Sequence, residues 1–523
     1  MPLPPDFERD LWAAADLMRA NTGLEPSEYT QPVLALLFLR FADARFAQHT
    51  AALAKKKITA PEREDYVAAR VPYLPKNARY DWLLQIPDGG FPTGPDKGKR
   101  VGELLDEAMR AIERLNPDLR GALPETFAKL DDRLLRDFLK RFSTIPPDAQ
   151  GDVFGRVYEY FLGEFAKLTL QKGGEFYTPV SVVRLIVEVL EPYEGRIYDP
   201  ACGSGGMFIQ SARMVEEHRR DVHNLSIFGV EKRAQTLRLC KLNLAVYGLA
   251  GSVIEANSYY DAAHDKNGPF DFVMANPPFN DSGVEKARAE KLTKRYPFGA
   301  PTGDNANYLW IQHFYSALSP TGRAGFVMAN SAGDGRGRDL EIRQQLLDAG
   351  AVDVIVSLTS NLFYTVTLPV TLWFLDRGKE RTARKDKVLF LDARGIFRQV
   401  DRAHRELEAH QIELLADTVR LYRGEKPEFL REGTKALFDE RFPEGKYRDV
   451  PGFCKVATRK EIAAQGASLN PGRYVGVVAQ QQDDGEFRAR FEALHEELAA
   501  LNAEAHRLEE VIERNALQLL GDI

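Results

Sequence analysis

Apolar positions along the chain change their spacing three times, and each change marks a candidate domain boundary. In residues 1–145 the spacing is helical. Phe7, Leu11, Trp12, Ala15 and Leu17 recur near one helix face, and "EPSEYTQPVLALLFLRFADARFAQ" continues as a more apolar helix behind a Pro/Ser start signal. A polar, proline-broken stretch from Lys55 to Lys99 separates these from two more amphipathic segments, "VGELLDEAMRAIERL" and "DDRLLRDFLKRF". Strand patterns are almost absent here, so a helical domain packing on its neighbour is expected.

From Gly151 onward, short runs rich in β-branched and aromatic residues alternate with helical segments. The runs are "RIYD" (196–199), "SIFGVEK" (226–232), "SVIEA" (252–256), "DFVMA" (271–275), "RAGFVMAN" (323–330), "AVDVIVSL" (351–358) and "VTLWFLD" (370–376). Between them lie "MFIQSARMVEEHRR", "RAQTLRLCKLNLAVYG" and "NYLWIQHFYSAL". This alternation predicts an α/β fold over residues 146–385, an open, mostly parallel sheet with helices on both faces. Ligands in such sheets bind outside the carboxyl ends of the strands. Beyond about residue 385 the periodicity weakens, which leaves 386–485 as an extension of the sheet region. Over 486–523, Phe487, Phe491, Leu494, Leu498, Leu501, Ala505, Leu508 and Ile512 step by four and three alternately. Such a heptad seam calls for a partner helix, in another subunit or in the same chain.

Composition narrows the class of protein. The chain has 523 residues, 44% hydrophobic and 28% charged, room for about two to four domains. Cys202, Cys240 and Cys454 have neither metal-ligand spacing nor the density of a disulfide scaffold, so structural thiols in a reducing compartment are expected and no metal is. A basic-plus-apolar leader is not evident, and "VLALLFLRF" is too short to span a bilayer. A cytoplasmic location away from membranes is the expectation. The formal net charge of -6 does not suit an unaided grip on nucleic acid over a broad surface, so any DNA contact must be local or shared with a partner.

Chemistry gathers at the expected strand ends. "YDPACGSGGMF" (198–208) follows the first strand and opens a helix, and Gly203, Gly205 and Gly206 allow a tight turn whose free amide N–H groups face a ligand. Helix packing alone also uses such turns. Glu231 ends the second strand, where a carboxylate takes both hydroxyls of a ribose; Asn257 follows the third, placed for an adenine edge. No G-x-x-x-x-G-K-[ST] run is present, which disfavours a triphosphate cradle.

The fourth strand runs into "ANPPF", and the prolines stop it near Asn276. An exocyclic base amine is a poor nucleophile because its lone pair is delocalised into the ring. Two acceptors, the Asn276 side-chain oxygen and a main-chain carbonyl at Pro277, would hold both N–H protons and turn the lone pair toward an electrophilic methyl. Pro277 and Pro278 keep that turn stiff, and Phe279 offers a stacking face to a base swung out of its duplex.

"GGEFYTP", "DPACGSGG" and "ANPPF", in that order, resemble the motifs of adenine-N6 DNA methyltransferases that use S-adenosylmethionine. With "LWAAADLMRAN", "NANYLWIQHFYSAL" and "LPVTLWFL", most of the chain resembles the modification (methyltransferase) subunit of type I restriction-modification systems. The resemblance implies a Rossmann-like methyltransferase sheet with a helical N-terminal domain and a coiled-coil-like tail. It implies that Glu175, Phe176, Tyr177, Thr178, Pro179 and Val180 lie along the methionine part of the cofactor. Asp199, Ser204, Gly205 and Gly206 would form the glycine-rich turn, with Glu231 on the ribose; Asn257 stands where the family commonly has an acid. The implied partners are double-stranded DNA, a specificity subunit, a second methyltransferase subunit and a restriction (translocase/nuclease) subunit.

Softer candidates flank this core. Lys286, Arg288, Lys291, Lys294 and Arg295, with Tyr296 and Phe298 behind them, suit phosphate contact near the flipped base, against a plain solvated loop. "GDGRGRDLEIRQ" (333–344) reads as a mobile Gly/Arg loop, while Phe363 and His313 read as packing residues. Cytosine N4, an RNA base or a protein amide presents the same chemical problem, and a non-catalytic DNA-binding scaffold would carry the same fold. Size, flanking domains and the intact "NPPF" favour DNA adenine.

Overall fold

A 30-residue helix, α1 (Pro26–Lys55), runs through the centre of the N-terminal region. Its stretch from Val33 to Leu39 is buried at every position, as expected of a helix that is apolar all round and enclosed by others. Two amphipathic helices pack near it, α2 (Val101–Leu115) and α3 (Asp132–Ser143), at the positions their periodicity predicts. Each has a side chain holding free amides at its start. Glu103 accepts from the Arg100 N–H at 2.8 Å, and Asp131 accepts from the N–H groups of Arg133 and Leu134.

The computed structural model describes residues 7, 9, 11–13, 26–58, 60–146, 157–158, 160–165, 178–301, 305–363, 369–401, 404–476 and 508. Glu175, Phe176 and Tyr177 lie outside the described residues, as does the heptad segment apart from Leu508. No helix among the described residues is long and apolar enough to cross a membrane.

Among the described residues, nine strands form one sheet. They are β1 (Gly195–Asp199), β2 (Leu225–Glu231), β3 (Gly251–Glu255), β4 (Phe270–Ala275), β5 (Leu318–Ala329), β6 (Val352–Leu358), β7 (Val370–Asp376), β8 (Lys387–Ala393) and β9 (Cys454–Thr458). Their spatial order is β9-β8-β6-β7-β5-β4-β1-β2-β3. Strands β5, β4, β1, β2 and β3 pair in parallel, β7 runs antiparallel to both β5 and β6, and β9 is antiparallel to β8. The sheet is therefore mixed, with the mostly parallel character that the alternating pattern predicts. Sequence periodicity had weakened before β8 and β9, and both prove to be full members of the sheet rather than an appendage.

Both faces of the sheet are buried, and alternation assigns them. Val354, Val356, Leu372, Phe374, Leu389 and Leu391 face one hydrophobic layer, while Ile355, Trp373, Leu375, Val388 and Phe390 face the other. The first layer is filled by α4 (Val180–Leu190), α5 (Gly206–Glu217), part of α6 (Ala234–Val246) and α9 (Ala409–Arg423). The second is filled by α7 (Asn307–Ala317) and α8 (Arg338–Asp348). Gly325 on β5 lets α4 approach closely, because a methyl there would lie 2.9 Å from Ile186, Leu190 and Phe374. Helix α6 joins the two regions: its Leu242 and Val246 belong to the core of the helical domain.

Helix α8 corrects the reading of 333–344 as a mobile Gly/Arg loop. Arg343, only 2% exposed, donates to the Tyr308 hydroxyl and to the carbonyls of Gly335 and Ala467. Its cation serves packing, which no local pattern reveals.

Candidate active site

Strand β1 lies between β2 and β4, so the chain leaves it in opposite directions along the sheet, and a crevice opens at the carboxyl ends of β1 and β4. Register places the two ends level: Ile197 pairs with Phe272 and Tyr198 with Val273. Asp199 and the glycine turn thus emerge beside Asn276, although they are far apart in sequence.

The turn after β1 is pinned by hydrogen bonds. The Cys202 N–H reaches the Val230 carbonyl at 3.0 Å, the Gly205 N–H the Cys202 carbonyl at 2.8 Å, and the Asn243 amide the Ser204 carbonyl at 2.6 Å. Gly205 has φ of 86°, a left-handed geometry that favours glycine, and a methyl there would meet the Cys240 sulfur at 2.9 Å. Asp199, 2% exposed, accepts the Ala201 N–H at 2.9 Å, and burial pushes its carboxyl well above the usual range. Glu231 accepts N–H groups from both Gly203, at 3.1 Å, and Arg233, at 2.9 Å, which locks the turn to the end of β2.

Asn276 has the most informative environment. Its Nδ2 donates to the Thr178 hydroxyl at 2.7 Å, while its Oδ1 is buried and accepts no hydrogen bond among the described residues. A buried amide oxygen left unpaired costs about 1–3 kcal/mol, so its persistence points to a ligand donor that completes it. Pro277 is buried, Pro278 exposed, and Phe279 half-buried against the helix-covered layer.

A cavity of about 310 Å³ lies against these groups, lined by Thr178, Val180, Asp199, Ala201, Cys202, Gly203, Ser204, Gly206 and Asn276. Pro179, Gly205, Glu231, Asn257, Pro277, Pro278 and Phe279 are not part of its lining. Asn257 sits in a turn of its own, its oxygen accepting the Tyr259 N–H at 3.1 Å. Sequence reading missed much of the remaining lining, including Thr30 and Gln31 of α1, Leu162 and Phe165, and Arg233, Gln235, Thr236, Leu239 and Asn243 at α6. Nothing local marks them, since only folding brings α1 against the sheet.

The basic segment after the proline turn divides. Lys291 and Lys294 are exposed, as is Arg288, which lies over the Tyr260 ring and beside Asp261 and Glu285. Lys286 is half-buried. Arg295 is 7% exposed and gives its guanidinium to the carbonyls of Ser258 and Asp261 and to the Asp265 carboxylate at 2.7 Å. Tyr296 is buried, its hydroxyl on the Tyr259 carbonyl. Arg295 thus ties loops together instead of facing phosphate. Phe363 is a core residue. His313 is buried as well, and desolvation, with Arg295 nearby, lowers its pKa well below the usual histidine value. All three cysteines are buried free thiols.

Comparison with known proteins agrees with this geometry. The family described as N-6 DNA methylase matches residues 149–483, and that described as the HsdM N-terminal domain matches 7–142. The MjaIX methylase subunit of a type I restriction enzyme from Methanocaldococcus jannaschii is 35% identical, over 99% of this chain and 92% of its own. The HindI methylase subunit from Haemophilus influenzae is 35% identical, over 84% of this chain and 98% of its own. A type I restriction-modification methyltransferase subunit from Streptococcus thermophilus superposes with a TM-score of 0.70 at 20% identity, over 90% of this chain and 99% of that one. With a strand-end crevice, a pinned glycine turn and an unpaired asparagine oxygen in place, these matches show that the chain belongs to the N-6 DNA methylase family, as a DNA adenine methyltransferase of the type I restriction-enzyme methylase-subunit kind.

Proposed function

We propose that the chain transfers a methyl group from S-adenosylmethionine to N6 of an adenine flipped out of double-stranded DNA, with a specificity subunit choosing the target. The buried, unpartnered Oδ1 of Asn276 carries this reading. When bound, S-adenosylmethionine supplies an electrophilic sulfonium methyl. Thr178, Val180, Asp199, Ser204 and Gly206, which line the cavity, would hold it beside Asn276, with the left-handed Gly205 shaping the turn and Glu231 assigned to the ribose hydroxyls. The Glu175, Phe176, Tyr177 and Pro179 contacts and the adenine contact of Asn257 belong to the same proposal.

The protein residues act by orientation. Asn276 Oδ1 and the Pro277 carbonyl accept the two N6–H protons, which fixes the amine and aims its lone pair along the attack line. The new C–N bond would form as the methyl's bond to sulfur breaks, its electron pair staying on a departing neutral thioether, while the two oxygens stabilise the positive charge that grows on N6 until one proton leaves to water. Phe279 stacks on the extruded ring. Lys286, Arg288, Lys291 and Lys294 are proposed to approach backbone phosphates beside it. A net charge of -6 does not favour an unaided grip on DNA over a broad surface, which is the reason for assigning sequence choice to a partner. A second methyltransferase subunit and a restriction subunit complete the proposed assembly, in the cytoplasm.

Calorimetry with S-adenosylmethionine and labelled methyl transfer to plasmid DNA, with and without the specificity subunit, test the proposal. Cofactor binding is expected in both cases, and N6-methyladenine only in the complex. Equal transfer by the isolated chain would remove the partner requirement, and label on cytosine would remove the assigned base.

Gly205→Ala provides a narrower test. The left-handed φ of 86° and the 2.9 Å approach to the Cys240 sulfur are expected to weaken cofactor binding by roughly tenfold, equivalent to about 1–2 kcal/mol of backbone strain. Calorimetric affinity at the wild-type value would show that the turn tolerates a side chain.

A further inference from the structure

The chain leaves the catalytic turn through Asn280, whose φ of 53° is left-handed in a residue other than glycine. Such geometry needs local support. Here the support comes from the start of α7. The Asn280 N–H donates to Asn307 Oδ1 at 2.9 Å, and Asn307 Nδ2 returns a bond to Asn280 Oδ1 at 2.9 Å. Asn305 Nδ2 donates to the same oxygen at 3.0 Å, and Asn305 Oδ1 accepts the Asn307 N–H at 2.8 Å. Asn307 is only 2% exposed and so holds its half of the reciprocal pair in a fixed place, while Asn280 is exposed.

The next residue is held as well. The Asp281 carbonyl accepts the Ala306 N–H at 3.0 Å, and its carboxylate accepts the Tyr259 hydroxyl at 3.0 Å. Tyr259 in turn accepts the Trp310 indole N–H at 2.7 Å. Helix α7 is anchored by Leu309, Ile311 and Phe314, all buried in the second layer. The exit of the proline turn is therefore fastened to a rigid element on the face of the sheet opposite the glycine-turn helix.

We infer that Asn307 is a positioning residue for base methylation: through Asn280 it fixes the backbone that carries Phe279 and the acceptor oxygens, so that an extruded base finds the stacking face already aimed. The inference rests on the proposed methyl-transfer reading. Prolines make the front of the turn stiff, yet they leave its downstream end free to pivot, and the asparagine pair removes that freedom. Loss of the pair costs little in the cofactor cavity, whose lining does not include Asn280, Asn305 or Asn307.

The test uses the full chain in complex with its specificity subunit. Asn307→Ala removes both members of the reciprocal pair, and Asn307→Asp keeps an oxygen for the Asn280 N–H while discarding the donor. Asn280→Gly keeps the left-handed backbone without strain and discards only the shared oxygen, so it serves where Asn307→Ala fails to fold. Expected results are a kcat lower by roughly tenfold or more for Asn307→Ala, Asn307→Asp and Asn280→Gly, and cofactor affinity within about twofold of wild type. With 2-aminopurine in place of the target adenine, bound-state emission should rise above wild type as the ring quenches the base less. Wild-type kcat and emission in Asn280→Gly or in a folded Asn307→Ala overturn the inference, as does a loss of cofactor affinity that matches the loss of rate. If the wild-type complex itself methylates no adenine, the underlying reading fails instead.

Discussion

Asn276→Ala is expected to lower kcat for adenine methylation by about 10²–10³ in the assembled complex while cofactor affinity stays within about twofold. The effect is large because Oδ1 is one of only two acceptors proposed for the N6 protons, and it is already desolvated. Nothing must reorganise when charge develops on the amine. Alanine leaves the lone pair in conjugation with the ring and admits water in place of the amide. Thr178 accepts from Nδ2 at 2.7 Å, which leaves the oxygen as the unpaired end of the amide. Asn276→Asp keeps an acceptor and is expected to retain part of the activity. The measurement is single-turnover methyl incorporation at saturating cofactor. A wild-type rate for the alanine variant would refute the proposed chemistry altogether.

Asp353→Ala is expected to destabilise the fold by about 3–5 kcal/mol, read as a lower urea midpoint at neutral pH. Asp353 is fully buried at the start of β6 and gathers Arg384 at 2.6 Å, Arg423 at 3.2 Å and Lys379 at 4.0 Å. Burial alone raises its pKa, but the three cations together with Arg323 overcome that and leave it below the usual carboxylate value. Removing the anion strands those cations. Among the described carboxylates, Asp376 remains 3.2 Å from Arg384 and 3.9 Å from Arg323, and Glu425 3.8 Å from Arg323. Lys379 is already pushed down to about 8, chiefly by burial, so it would shed its proton in the variant. Because the folded pKa of Asp353 lies below its unfolded value, its contribution is complete above about pH 4 and disappears as pH falls through the folded value. Wild type and Asp353→Asn should therefore converge in stability at low pH and separate as pH rises. A constant gap across that range would place the effect in packing instead of charge.

What could be read directly from the residues follows from local periodicity and turn chemistry. Alternation located seven strands within a few residues, except that β5 begins five residues earlier than its apolar run. The glycine turn and the "NPPF" stop were legible because each requires a backbone that few residues allow. The same rule missed β8 and β9, short apolar runs set among polar loops, whose membership depends on pairing with β6 and with each other.

Side-chain fates were less legible than backbone ones. Lys291, Lys294 and Arg295 look alike in sequence, yet the first two face solvent and Arg295 holds three loop partners. Burial of a cation is decided by which carbonyls and carboxylates the remote chain supplies. Arg343, bonded to Ala467, is the same case.

From the residues alone, then, came the α/β class, the strand-end chemistry and the adenine methyltransferase family, since period, turn residues and motif order are properties of short segments. Tertiary structure alone decided that Asn276 keeps an unpaired oxygen, that α1 walls the cavity and that Asn307 grips Asn280. Each of these depends on groups distant in sequence meeting within hydrogen-bond range, and no local spacing encodes such a meeting.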